Sequence, residues 1–241
     1  MAVKIGSARI DENSSARGGK AGDQTGREVS TQSWYLHKKG WRVFRAKDPA
    51  VAEKIARNMQ AACDNSKIGY DQDQRLTLYS VSKPLGFDCA RVTTKCETDC
   101  SALVRVCCAY AGVALANFRT TNEANVLLKS GAFVELTGAK YQESSAYLRR
   151  GDILVTKTQG HTVVVLSNGS KAEPAADPTV KTLQITGGTV NVRTGPGTGN
   201  TVIGIAKKGE AYPYTAVTDG WYQINYRGVL SWVSGKYAEV V

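Results

Sequence analysis

Covalent chemistry needs a reactive side chain and a partner to activate it. This chain offers six cysteines, at positions 63, 89, 96, 100, 107 and 108, and two histidines, His37 and His161. Cys100 has the most distinctive setting. In Glu97-Thr98-Asp99-Cys100-Ser101-Ala102-Leu103-Val104 it stands where a polar segment meets an apolar run. Leu103, Val104, Cys107, Cys108 and Ala111 follow at helical spacing. Thr98 or Asp99 is the expected N-cap, which puts Cys100 in the first turn of a helix buried against a core. The positive end of the helix dipole there favours thiolate over thiol, and the thiolate is the nucleophile. On this stretch alone, a core cysteine in an ordinary helix is the competing reading.

A thiol nucleophile also needs a base. His161 opens the run Gly160-His161-Thr162-Val163-Val164-Val165-Leu166, a core strand from whose first position a side chain can project toward the Cys100 helix. His37, beside Lys38 and Lys39, is expected to be a solvated surface histidine. Cys63 falls on the apolar face of a helix and is expected to be core. Cys89 and Cys96 have six residues between them, a poor spacing for zinc, so no metal or other cofactor is expected. Cys107 and Cys108 diverge by about 100° on a helix and are expected to be packing residues, which argues against a thiol redox protein.

These side chains must be positioned by a mixed α+β scaffold. Asp48-Pro49 starts a helix that runs to about residue 63. The Cys100 helix ends near Gly112, and another spans roughly 122–129 and stops at Gly131. A β section follows, with Phe133-Val134-Glu135-Leu136 and then a hairpin whose second strand begins at His161. Residues 1–33 are polar and Gly/Ser-rich, expected either as a frayed arm or as a loop bringing backbone close to a site. Residues 170–180 have the composition of a linker. Beyond them, short strands split by Gly and Pro suit a small barrel. The domains are therefore drawn at 1–169, with 1–33 as the glycine-rich arm, and at 181–241, with 170–180 between them.

The formal charge of +10 suggests an anionic partner: nucleic acid, a membrane surface or an anionic cell wall. No zinc-finger spacing, helix-turn-helix or dense basic helix supports nucleic-acid reading. No apolar run is long enough to insert into a bilayer. The start of the chain lacks the apolar stretch of a secretory signal, so the cysteines are expected to be reduced where the protein is made.

Three of these segments carry a resemblance. Asp99-Cys100-Ser101-Ala102-Leu103-Val104, Arg150-Gly151-Asp152-Ile153-Leu154 and Gly160-His161-Thr162-Val163-Val164-Val165 resemble, in order, the signature segments of the NlpC/P60 cysteine peptidases, over roughly residues 68–169. Val190-Asn191-Val192-Arg193-Thr194-Gly195-Pro196 and Gly220-Trp221-Tyr222 are similar to bacterial SH3 (SH3b) domains that bind cell walls. The pairing resembles a phage endolysin: a papain-like catalytic domain followed by an SH3-like barrel.

The resemblance implies a peptidoglycan hydrolase made in the bacterial cytoplasm and acting on the wall after release. Cys100 would attack a stem-peptide carbonyl. His161 would be base and then acid, and the backbone N–H groups of Cys100 and Ser101 would hold the oxyanion, aided by Tyr70. Asn168 is the nearest candidate for the group that orients His161. Asp23 or Gln24 in the arm could fill in from the N-terminal side. Asp99, Asp23, Gln24, Trp221 and Tyr222 are placed among the substrate-contacting residues, with Asp99 also expected to cap its helix. The implied bond is γ-D-glutamyl–diamino acid. Alternatives are an N-acetylmuramoyl-L-alanine amidase with the same site, or a wall-binding protein without catalysis. No oligomeric state is implied.

Overall fold

Strands whose residues alternate between two apolar environments must be covered on both faces, and the N-terminal sheet is built that way. A computed structural model describes residues 2–172, 182–227 and 229–241. The chain divides into two units, Met1–Ala175 and Ala176–Val241. Most of the linker expected over 170–180 lies outside the described residues.

In the first unit the elements are β1 (Lys4–Ala8), β2 (Val29–Ser33), β3 (Trp41–Ala46), α1 (Pro49–Cys63), β4 (Ile68–Tyr70), α2 (Thr77–Ser82), β5 (Cys96–Thr98), α3 (Cys100–Tyr110), α4 (Glu123–Lys129), β6 (Phe133–Leu136), α5 (Ala139–Gln142), β7 (Ile153–Thr156) and β8 (Thr162–Val165). Six strands form an antiparallel sheet in the order β2-β1-β8-β7-β3-β6. Phe44, Ile153, Val155 and Val164 face the helices, in one core with Ile55 and Met59 of α1 and Leu103 and Cys107 of α3. Val43, Leu154, Val163 and Val165 face the other way and pack with Val3, Ile5, Trp41 and Leu148. Each large apolar side chain so buried contributes about 1.5–3 kcal/mol.

α1 starts as its sequence dictates. The Asp48 side chain accepts from the Ala50 N–H at 2.8 Å, and Pro49 occupies the first turn, where a missing N–H costs nothing. Between Arg150 and Asp152, Gly151 has φ +89°, and a Cβ there would lie 2.3 Å from the Ala52 carbonyl oxygen. Only glycine fits a turn pressed so closely on α1. The Asp152 carboxylate accepts two parallel bonds from Arg45 on β3, both 2.7 Å, and tethers β7 to its neighbour.

Residues 1–33 depart from the expected arm. β1 and β2 are integral strands, and β1 lies directly beside β8. The glycine-rich stretch between them is pinned by carboxylates: Glu28 accepts from the Gln24 N–H at 2.6 Å and the Tyr70 N–H at 3.0 Å, and Asp71 accepts from the Gly18 N–H at 2.8 Å. A Cβ on Gly69 would lie 2.6 Å from the Gly22 carbonyl oxygen, so this segment closes over β4 at contact distance. Low apolar content hid a segment whose ordering comes from polar bonds.

The second unit contains β9 (Thr182–Ile185), β10 (Thr189–Arg193), β11 (Val202–Lys207), β12 (Ala211–Thr218), β13 (Trp221–Tyr226), β14 (Val229–Ser234) and β15 (Ala238–Val240). They pair antiparallel in the order β11-β10-β14-β13-β12-β9-β15. Alternate residues, among them Leu183, Ile185, Val190, Val192, Ile224 and Val233, fill its core. This sheet-rich unit is consistent with a bacterial SH3 domain.

Candidate active site

Asp99 caps α3 with its side chain: Oδ1 accepts from the Ala102 N–H at 2.7 Å and from the Ser101 hydroxyl at 2.9 Å. Cys100 is thereby fixed in the first helical turn. The peptide N–H that joins His161 to Thr162, at the start of β8, points at its sulfur, as does the Ser101 N–H. The packing of α3 against β8 thus brings the Cys100 sulfur to the backbone that follows His161. Burial dominates the electrostatics. It pushes the Cys100 thiol well up, reinforced by the carboxylates of Asp99 and Glu123, while the two N–H groups pull the other way. It also brings the His161 imidazole down to about 4, with smaller pushes from His37 and Arg9. The resting pair is neutral thiol and neutral imidazole. The helix dipole alone predicts a thiolate, and desolvation outweighs it.

Parallel pairing of β4 with β5 sets Tyr70 opposite Thr98, two residues before the nucleophile. Tyr70 is buried and its hydroxyl accepts from the Gln72 amide at 3.0 Å. Burial, with a lesser push from Cys100 and Asp99, takes the phenol up to about 12, so it is a proton donor at any ordinary pH.

The residue expected to orient the histidine is elsewhere. Asn168 follows the far end of β8, where its side-chain oxygen accepts from the Arg150 N–H at 2.8 Å. Asp23 closes its own turn by accepting from the Thr25 and Gly26 N–H groups, and the Gln24 amide donates to the Ala21 and Gly22 carbonyls. Both are consumed in folding the arm. The group that meets His161 is Ser7, buried on β1, with Oγ 3.2 Å from Nε2.

Asp99 is likewise taken by the chain itself. Its Oδ2 accepts from Arg75 Nε at 2.5 Å, and Arg75 also donates to Ser101, Asn117 and the Phe118 carbonyl. With both oxygens occupied, Asp99 is a positioning carboxylate and not a substrate contact. Glu123, fully buried on α4, accepts from the Thr162 hydroxyl at 2.8 Å, and burial pushes its carboxyl well above the usual carboxylate range.

His37 is not a plain surface residue. It is half-buried, with its ring 5.3 Å from that of Trp41, and it lines a cavity of about 500 Å³ with Arg9, Gln32, Tyr35 and His161. Among the described residues no group of histidine, cysteine and carboxylate side chains is arranged to hold a metal ion. All six cysteines are free: Cys89, Cys96, Cys107 and Cys108 are buried beside the helices, and Cys63 packs at the core's edge. No described helix is long and apolar enough to cross a membrane.

In the second unit Trp221 lines a cleft of about 440 Å³ together with Asn191, Arg193, Lys236 and Tyr237. Tyr222 instead packs edge-on against Tyr214, with ring centroids 4.9 Å apart, and lies against the core of this unit. Of the two expected contacts, Trp221 is the one placed on an open cleft.

Comparison with known families agrees with this division. The endolysin-like domain matches residues 5–172 and the bacterial SH3 domain matches residues 188–239. The chain belongs to the endolysin-like domain family. With its bacterial SH3 domain it has the make-up of an endolysin-like cell-wall enzyme, a hydrolase class that acts on peptidoglycan. No match was found among curated proteins.

Proposed function

We propose that the protein is a cysteine hydrolase of the NlpC/P60 type, with a papain-like catalytic unit, that cleaves the stem peptide of peptidoglycan. The observation that carries this reading is the Cys100 sulfur held at the start of α3 against the His161–Thr162 peptide unit. In the ground state no charge is separated. As substrate enters, His161 Nδ1 takes the thiol proton while sulfur attacks the carbonyl. In this mechanism Nε2 carries its own proton and donates it to Ser7 Oγ, 3.2 Å away, which would hold the ring in the tautomer with Nδ1 free. The backbone N–H groups of Cys100 and Ser101 and the Tyr70 hydroxyl receive the oxyanion. The imidazolium then returns its proton to the leaving amine, and water repeats the sequence on the thioester.

The γ-D-glutamyl–diamino acid bond is the proposed target, with the N-acetylmuramoyl-L-alanine amide as the second choice for the same machinery. The second unit would bind the wall and raise local substrate concentration. The protein would be made in the bacterial cytoplasm, in a phage setting, and act after release. Purified sacculi test this reading. Wild-type protein should release soluble peptides, Cys100→Ala and His161→Ala should not, and mass spectrometry of the products names the bond. Release undiminished by Cys100→Ala would remove the sulfur from its role.

A further inference from the structure

A groove of about 760 Å³ lies beside the Asp99–Arg75 pair, lined by polar groups of Gln72, Gln74, Asn117 and Arg119 and by apolar Leu76 and Phe118 among others. Amide groups of this kind suit the backbone of a short polar peptide. Two arginines meet there and differ sharply. Arg75 is buried and spends its donors on Asp99, Ser101, Asn117 and Phe118. Arg119 is half-exposed. Its Nη1 stands 3.7 Å from Asp99 Oδ2, beyond hydrogen-bond reach, and its guanidinium makes no hydrogen bond to the described residues. One carboxylate facing two guanidinium groups leaves a net positive charge at this rim. The carboxylate that lines the groove, Asp73, is paired with Arg17 at 2.7 Å.

Arg119 is also centrally placed. Asp99 directly precedes Cys100. Thr120, the next residue after Arg119, accepts from the Gly160 N–H at 3.2 Å, and Gly160 directly precedes His161. The guanidinium therefore sits between the elements that carry the two reacting groups, with its unused donors toward the groove.

The structure assigns Arg119 as the receptor for a free carboxylate on the substrate, within a residue or two of the scissile bond. Resting on the hydrolase reading above, this specifies the substrate class: stem peptides in which the γ-linked D-glutamyl residue keeps its α-carboxylate, in preference to those in which it is amidated. A γ-linkage uses the side-chain carboxyl and leaves the α-carboxylate exposed, and a guanidinium fork matches it with two parallel bonds.

The test uses the full chain and two synthetic stem peptides that differ only in this carboxylate or carboxamide. Wild-type protein should cleave the acid with a kcat/KM about tenfold above that for the amide. Arg119→Gln should bring the ratio near one, mainly by raising KM for the acid, and Arg119→Lys should keep part of the preference. A wild-type ratio near one, or a ratio unchanged in Arg119→Gln, overturns the assignment and leaves the hydrolase reading standing. Failure of wild-type protein to cleave either peptide overturns both.

Discussion

Ser7 Oγ meets His161 Nε2 at 3.2 Å across 154 residues of sequence. The contact exists because β1, the first strand of the chain, inserts beside β8, so that the histidine is supported from the N-terminal end of the sequence. An imidazole with one nitrogen engaged presents the other in a fixed direction, which a proton acceptor for a thiol requires.

Removing this support should slow the reaction without emptying the site. Ser7→Ala deletes one neutral hydrogen bond, and a loss of ~1 kcal/mol corresponds to a kcat about fivefold lower. KM should change little, because Ser7 does not reach the groove beside Arg119. Steady-state kinetics on a soluble stem peptide measure both terms. A KM effect with unchanged kcat would show that Ser7 serves only the fold of β1.

Most of the architecture that positions the site was legible in the sequence, because it is written in local chemistry. Asp48-Pro49 and Asp99-Cys100 start helices for capping reasons, Gly131 follows the helix ending at Lys129, and alternating valines mark β8. The group that orients His161 was not legible. Strand order is set by pairing between distant segments, and nothing local in Lys4–Ala8 says that it lies next to Val164 and Val165. The same limit hid Arg119 and Glu123, which reach Asp99 and Thr162 only through the packing of α4 and its preceding loop. Asn168 misled because proximity in sequence to His161 stood in for proximity in space.

Two buried titratable groups should shape stability in opposite pH windows. Glu97 has neither carboxylate oxygen hydrogen-bonded among the described residues, and burial, then Glu28 and Asp71, raise it from 4.5 to about 8. A raised folded value means that its contribution is full below 4.5 and is lost as pH rises through 8. His161 is lowered from 6.5 to about 4, so its contribution is full above 6.5 and is lost as pH falls toward 4. Thermal melts should show Glu97→Gln gaining on wild type as pH rises from 4.5 to about 8. His161→Gln should gain between pH 6.5 and 4. Parallel curves for variant and wild type over either window would contradict the corresponding assignment.

Breaking the Arg45–Asp152 pair from one side should be costly to the first unit. Asp152 is 1% exposed, accepts both guanidinium bonds and also takes the Arg149 N–H at 2.8 Å. Removing one partner strands the other charge away from water, at a cost of ~3–5 kcal/mol. Asp152→Ala should lower the denaturant midpoint of this unit accordingly. A change under about 1 kcal/mol would place the pair with solvent-screened surface bridges.

Attachment to the wall should depend on the cleft that holds Trp221 and not on net charge alone. Arg193 and Lys236 border this cleft, so a polyanion could be drawn to it by charge and released by salt. An aromatic ring adds contact area that salt does not screen. In a Cys100→Ala background, which keeps sacculi intact, Trp221→Ala should weaken binding by about tenfold at low and high salt alike, as loss of an aromatic anchor does. Tyr222→Ala should act differently, through the stability of the second unit, because its ring packs edge-on against Tyr214 and on the core of this unit. Co-sedimentation with sacculi over a salt series, read beside melting curves of each variant, separates the two effects. If Trp221→Ala bound like the parent at every salt concentration, the wall-binding surface would lie on another face of the second unit.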